Sequence, residues 1–202
     1  MEFTLGNIIT NSFQRGLKYI VPVFVNAILW VLTIWIPYIN VGTTIGMTIG
    51  VAAKMSRDEE IGMTEVFKPE YRKYMGEYFL VMGFMMAGIF AGFAFLYIPG
   101  IVISIAWMLA PLFVIDKGLT PIDAISRSNK ITYGKKWTIF GAMFVLYLLG
   151  IIAVAIGSYI FGLIPGIGGF LTLIWVIAAM AGMTAILMAG VSIIYGELSK
   201  AA

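Results

Sequence analysis

Few side chains in this chain can do acid–base or electrostatic chemistry, and they are bunched. Thirteen Lys or Arg and ten Asp or Glu are spread over 202 residues, with no cysteine and no histidine. Disulfides and thiolate metal sites are therefore excluded, as are a thiol nucleophile and the usual proton shuttle at neutral pH. Asp58, Glu59 and Glu60 stand together and could hold a divalent ion, but Lys54 and Arg57 beside them favour a salt-linked loop. Glu77 and Asp116 would have to converge to give an acid–base pair. The run Gly162-x-x-x-Gly166-x-Gly168-Gly169 lacks the Lys-Ser/Thr ending of a phosphate loop and reads as turn chemistry. Met82, Met85 and Met86 are too local for a copper site and read as packing surface. The expectation is no catalytic residues, no metal, no cofactor and no enzyme.

The elements that carry these groups follow from where charge is missing. All charge falls in four clusters, separated by the uncharged runs Tyr19 to Ala53, Tyr78 to Ile115 and Trp137 to Gly196. The chain is 61% hydrophobic and 11% charged, against about 45–50% and about 25% for soluble domains. Lipid must be the solvent for much of it. Each run exceeds the roughly 20 residues of one crossing. Each breaks near its middle at Ile36-Pro37, Ile98-Pro99 or Ile164-Pro165, so Pro37, Pro99 and Pro165 mark hairpin turns. Because Lys and Arg are retained on the cytoplasmic side, the clusters and both termini are expected to be cytoplasmic. The uncharged turns should lie opposite, in the inner membrane of a prokaryote. The third run is long enough for three short helices, but Leu163 to Gly169 is its only strong break, which favours two. The opening residues lack a basic leader ahead of an apolar core, so the first run is expected to be an uncleaved anchor.

The spacing also suggests a threefold internal repeat within one membrane domain, 1–202, with units of about 1–56, 57–117 and 118–202. Basic-aromatic clusters Arg15/Lys18/Tyr19, Arg72/Lys73/Tyr74 and Lys135/Lys136/Trp137 precede the three runs, and Thr4, Thr64 and Thr120 offer helix starts. The third is the best written, with Pro121 at the first helical position and Asp123 where a capping carboxylate belongs. The fold class predicted is all-α and integral to the membrane: six transmembrane helices as three hairpins, each preceded by an amphipathic cytoplasmic-surface helix.

Gly42, Gly46 and Gly50 form a small-residue ladder, and Gly88 and Gly92 repeat it on the third span. Such faces bring helix backbones close, either inside the bundle or against another membrane protein. Asn26 is the polar group hardest to satisfy within its own helix, and reads as an interhelical hydrogen bond. Between Lys117 and Trp137, Arg127, Lys130, Lys135 and Lys136 alternate with apolar residues, as in a basic interfacial helix touching anionic lipid headgroups. They could equally serve only to fix topology.

Pro99-Gly100-Ile101, Ala110-Pro111-Leu112-Phe113 and Gly118-x-x-Pro121-x-x-Ala124-Ile125-x-x-Ser128 resemble a broad, degenerate set of prokaryotic polytopic membrane proteins. These are related to the membrane domain attached to some glycerophosphoryl diester phosphodiesterases. The resemblance covers about residues 57–145. It implies a six-helix membrane module; the soluble phosphodiesterase barrel is absent, so that activity does not carry over. Two functions stay open. One is a non-catalytic scaffold or accessory subunit that binds other membrane proteins or itself, together with lipids but not nucleic acid. The other is a small transporter, channel or lipid-handling protein.

Overall fold

The computed structural model describes residues 2–200, which are all-helical with no strand. The helices are α1 (Leu5–Lys18), α2 (Ile20–Leu32), α3 (Pro37–Ile45), α4 (Val51–Ser56), α5 (Met75–Phe95), α6 (Tyr97–Trp107), α7 (Ala110–Lys117), α8 (Pro121–Thr132), α9 (Lys136–Gly162) and α10 (Gly168–Lys200). A π-helical turn, Gly46–Gly50, joins α3 to α4 while the flanking residues keep helical dihedrals. Four helices are long and apolar enough to cross a membrane: α5, α6 continued through α7, α9 and α10. A fifth candidate is α1 with α2, bent by 71°.

The helices break at the expected prolines. Pro37 occupies the first position of α3, where its missing N–H costs nothing. Pro99 sits in the first turn of α6, and the break itself is Leu96, extended at φ −162 and ψ 150. Pro165 lies in the turn between α9 and α10, where Gly166 takes φ 80. The third run holds two helices, as its single break implied. They are 27 and 33 residues long. At 1.5 Å per residue that is about 40 and 50 Å, against a hydrocarbon core of about 30 Å.

The leading surface helix recurs only in the first and third units. Thr4 and Thr120 both cap as their sequences suggest, accepting from the N–H groups of Asn7 and Asp123. Thr64 makes no side-chain cap, and the middle unit has two short 3-10 turns instead, Glu65–Phe67 and Pro69–Arg72. Pro69 is the physical reason. A proline disfavours helical dihedrals in the residue before it, and Lys68 sits at φ −59 and ψ 130. Nor is α1 a loose surface helix: Ile8, Ser12 and Gly16 are fully covered, four residues apart on one face. A Cβ at Gly16 would lie 2.7 Å from the Ile186 backbone, so glycine there lets α1 close onto α10.

One buried hydroxyl repairs the break between α6 and α7. Pro111 cannot donate within its helix. Ser128 on α8, fully buried, donates to the Ala106 carbonyl at 2.6 Å and accepts from the Leu109 N–H at 3.2 Å. Two backbone groups that the break would strand are thereby paired.

The buried core is gathered at the charged end. Its main cluster joins Ala52 and Ala53 to Val81 and Met85, then to Leu109, Leu112, Phe113 and Val114, to Ile139 and Ala142, and to Ile194, Tyr195 and Leu198. Towards the opposite turns, the buried residues of α5, α9 and α10 are reduced to Gly92, Gly157 and Gly168.

Candidate functional site: the charged end of the bundle

The turn after α4 is the junction of this end. Arg57 pairs with Glu59 and with Asp116, at the end of α7. Asp116 also accepts the Tyr195 hydroxyl of α10 at 2.7 Å and meets Lys117 at 3.3 Å. Asp58, in the left-handed region at φ 57, receives Lys18 at 2.7 Å and the Tyr19 hydroxyl at 3.0 Å. Aspartate tolerates that region better than most residues. Arg15 closes the junction by donating to the Met55 carbonyl at 2.9 Å. The Lys18 and Arg57 contacts hold the Asp58 and Glu59 carboxyls below the usual carboxylate range.

Beside this junction lies a carboxylate with almost no water around it. Glu65, 1% exposed, accepts from Lys54 at 2.9 Å, Lys68 at 3.1 Å, the Tyr71 hydroxyl at 2.6 Å and the Gly62 N–H at 3.2 Å. Burial alone would raise its pKa. The hydrogen bonds from Tyr71, Lys54 and Lys68 outweigh burial and hold it below the usual value. The same loop is anchored by Asn26. Its side-chain amide donates to the Pro22 and Gly62 carbonyls, both at 2.8 Å, and its oxygen accepts the Val66 N–H at 3.0 Å. Asn26 therefore ties a helix to a loop, not one helix to another.

The glycines fall into two groups. Gly42, Gly46 and Gly50 face this loop, not a second membrane helix. A Cβ at Gly42 would lie 2.9 Å from the Arg72 side chain, one at Gly46 2.9 Å from the Val66 backbone, and one at Gly50 inside the Tyr71 ring. Gly88 and Gly92 do serve helix packing, within the α5–α6 hairpin, against the Trp107 ring and against Gly100 and Ile103.

The basic residues of the third unit are dispersed over the surface. Arg127 and Lys130 make no ion pair among the described residues. Lys135 lies over the Phe3 ring, and Lys136 donates to Asn129 at 3.0 Å. Glu77 is exposed on the first turn of α5, and the carboxylate that shares a cleft with Asp116 is Glu70. Among the described residues, no three carboxylates gather as a metal site. Nothing in the spacing marks Glu65 as buried, whereas Asn26 was flagged by its amide alone.

Compared with family models, with curated proteins and with solved structures, the chain matches none of them. What the fold defines is a multi-pass, all-helical protein of membrane character.

Proposed function

We propose that the chain is a non-catalytic membrane scaffold or accessory subunit, in which a salt-linked charged end holds helical hairpins apart for other membrane proteins to pack between. A second copy of the chain would fill the same role, and lipids would occupy what remains. The observation that carries this reading is where burial stops. Beyond Met85 in α5 and Leu146 in α9, and before Ala185 in α10, the buried residues of those helices are only Gly92, Gly157 and Gly168. Large apolar side chains such as Phe90, Ile152 and Ile177 stand exposed there. Asp58, Glu59, Glu65 and Asp116 at the charged end are each already engaged by a cation, which favours a structural part over a catalytic one.

In this reading the charged end faces the cytoplasm of a prokaryote and the Pro37, Pro99 and Pro165 turns face the other side of its inner membrane. The bent α1–α2 pair and the rod Pro37–Ser56 form the first hairpin of six crossings, and the recurring breaks are the trace of a threefold repeat. The test is site-specific photocrosslinking from Phe90, Ile152 and Ile177 in native membranes. Discrete protein adducts from these positions, but not from Lys130, are expected. Adducts with lipid alone would overturn the scaffold.

A lipid-handling role is the second reading, favoured by two clefts of about 450 and 480 Å³ flanking Phe24 between α2 and α10, with almost entirely apolar walls. Lipid movement between leaflets of vesicles holding purified protein would support it, and no movement above protein-free vesicles would exclude it.

A further inference from the structure

A third cleft differs from those two in kind. It lies at the charged end, between α4, the 3-10 turn Pro69–Arg72 and the end of α7, and encloses about 230 Å³. That is below the roughly 300–1,000 Å³ of sites for drug-sized molecules and suits a small ion or a headgroup. Lys54, Arg57 and Lys73 line it, against Glu70 and Asp116, and of the three cations Lys54 and Arg57 are already held by Glu65 and Glu59. Asp116 is already neutralised by Arg57 and Lys117.

The unused donors are the telling part. Lys73 makes no ion pair among the described residues, and its ammonium sits 5.0 Å over the ring of Tyr74. Tyr74 also lines this wall, and its hydroxyl makes no hydrogen bond among the described residues. Lys54 holds Glu65 at 2.9 Å and has further protons to give. Six residues on from Lys73, in the second turn of α5, the exposed apolar surface begins with Phe79 and Leu80. An anion seated on Lys73 could therefore carry hydrocarbon that lies along that helix.

We propose that this cleft binds a phosphate group, with Lys73 and Tyr74 as its direct donors and Lys54, through a proton not given to Glu65, as a third. Two sources share that chemistry, the headgroup of an anionic phospholipid and a free phosphate. The site stands apart from the docking role above: a chain that captures no protein partner can still hold phosphate here.

The experiment uses the full chain in detergent micelles, titrated separately with dioleoylphosphatidylglycerol and with inorganic phosphate. The variants are Lys73→Gln with Tyr74→Phe, Lys73→Arg, Glu70→Gln and, as a comparator outside the cleft, Lys130→Gln. Binding by the paired Lys73→Gln/Tyr74→Phe variant is expected to weaken about tenfold or more, the effect of losing at least one charge-assisted hydrogen bond. Lys73→Arg is expected to keep most of the binding, Glu70→Gln to tighten it, and Lys130→Gln to leave it unchanged. Variant-sensitive binding of phosphatidylglycerol alone assigns the headgroup, and variant-sensitive binding of inorganic phosphate assigns the free ion. No binding of either overturns the proposal. So does binding indifferent to the paired variant, or binding that Lys130→Gln weakens as much. Lys73 and Tyr74 make no hydrogen bond or ion pair through their side-chain polar atoms among the described residues, and matching thermal melts would confirm that their replacement leaves the fold intact.

Discussion

Replacing Glu65 by glutamine separates a buried charge network from a solvated loop. The substitution keeps the side chain's shape and one acceptor oxygen, so the Tyr71 hydroxyl or the Gly62 N–H retains a partner. What it removes is the charge facing Lys54, whose side chain is only 15% exposed, and Lys68, which is 42% exposed. Breaking a buried ion pair by removing one partner costs about 3–5 kcal/mol. Lys68 can turn to water and contributes little of this, while Lys54 is the cation left stranded. We expect a loss of about 2–4 kcal/mol, which for a chain of this size lowers the melting temperature by about 5–15 °C. The assay is thermal unfolding in one detergent, followed by intrinsic tryptophan fluorescence. The double variant Lys54→Met/Glu65→Gln removes both charges, keeps an acceptor for Tyr71 or Gly62 and strands no buried cation, so it is expected to recover much of the loss. A Glu65→Gln melt within about a degree of the parent would refute the reasoning on the same scale, as would a double variant no better than the single.

Three further expectations follow from other parts of the structure. Ser128→Ala strands the Leu109 N–H and the Ala106 carbonyl and is expected to cost about 1–3 kcal/mol, with Ser128→Thr milder, both read from the same melts. A Cβ at Gly88 would enter the Trp107 ring whereas one at Gly83 meets nothing within 4 Å, so Gly88→Ala should lower the melting temperature and Gly83→Ala should not. The carboxyls of Asp58, Glu59 and Glu65 titrate below their ordinary values in the folded chain. Their contribution is therefore present above the unfolded carboxylate range, about pH 4, and lost as pH falls through the lower folded values. Melts across pH 7 to 3 should be flat above about pH 5 and fall below it, and Glu65→Gln should flatten that fall.

The sequence made the breaks legible because proline and glycine act locally: Pro37, Pro99 and Pro165 each fall within or beside the turn they mark. Thr4 and Thr120 were legible for the same reason, since a cap depends on its own three neighbours. Thr64 resembled them, and Pro69 overrode it five residues later. The Gly42, Gly46 and Gly50 ladder had a helical spacing, yet its neighbours are Arg72, Val66 and Tyr71 from a loop. Spacing along one helix records that something comes close, not what comes close. Glu65 was illegible because its burial depends on Lys54, Lys68, Tyr71 and Gly62 meeting in three dimensions. Ser128 and Pro111 gain a joint physical role, a helix break and the hydroxyl that repairs it.

In the proposed topology all ionised groups share one face of a membrane that the three turns reach across. The chain has no cysteine, so single cysteines can report on either side. The turn positions Tyr38, Tyr97 and Ile167 and the charged-end positions Glu60 and Lys130 are all exposed. Each would be replaced by cysteine and treated with a membrane-impermeant maleimide from outside intact cells. The account predicts labelling of the three turn positions and none at Glu60 or Lys130 until the membrane is opened. Labelling of a turn position only after opening, together with Glu60, would contradict it.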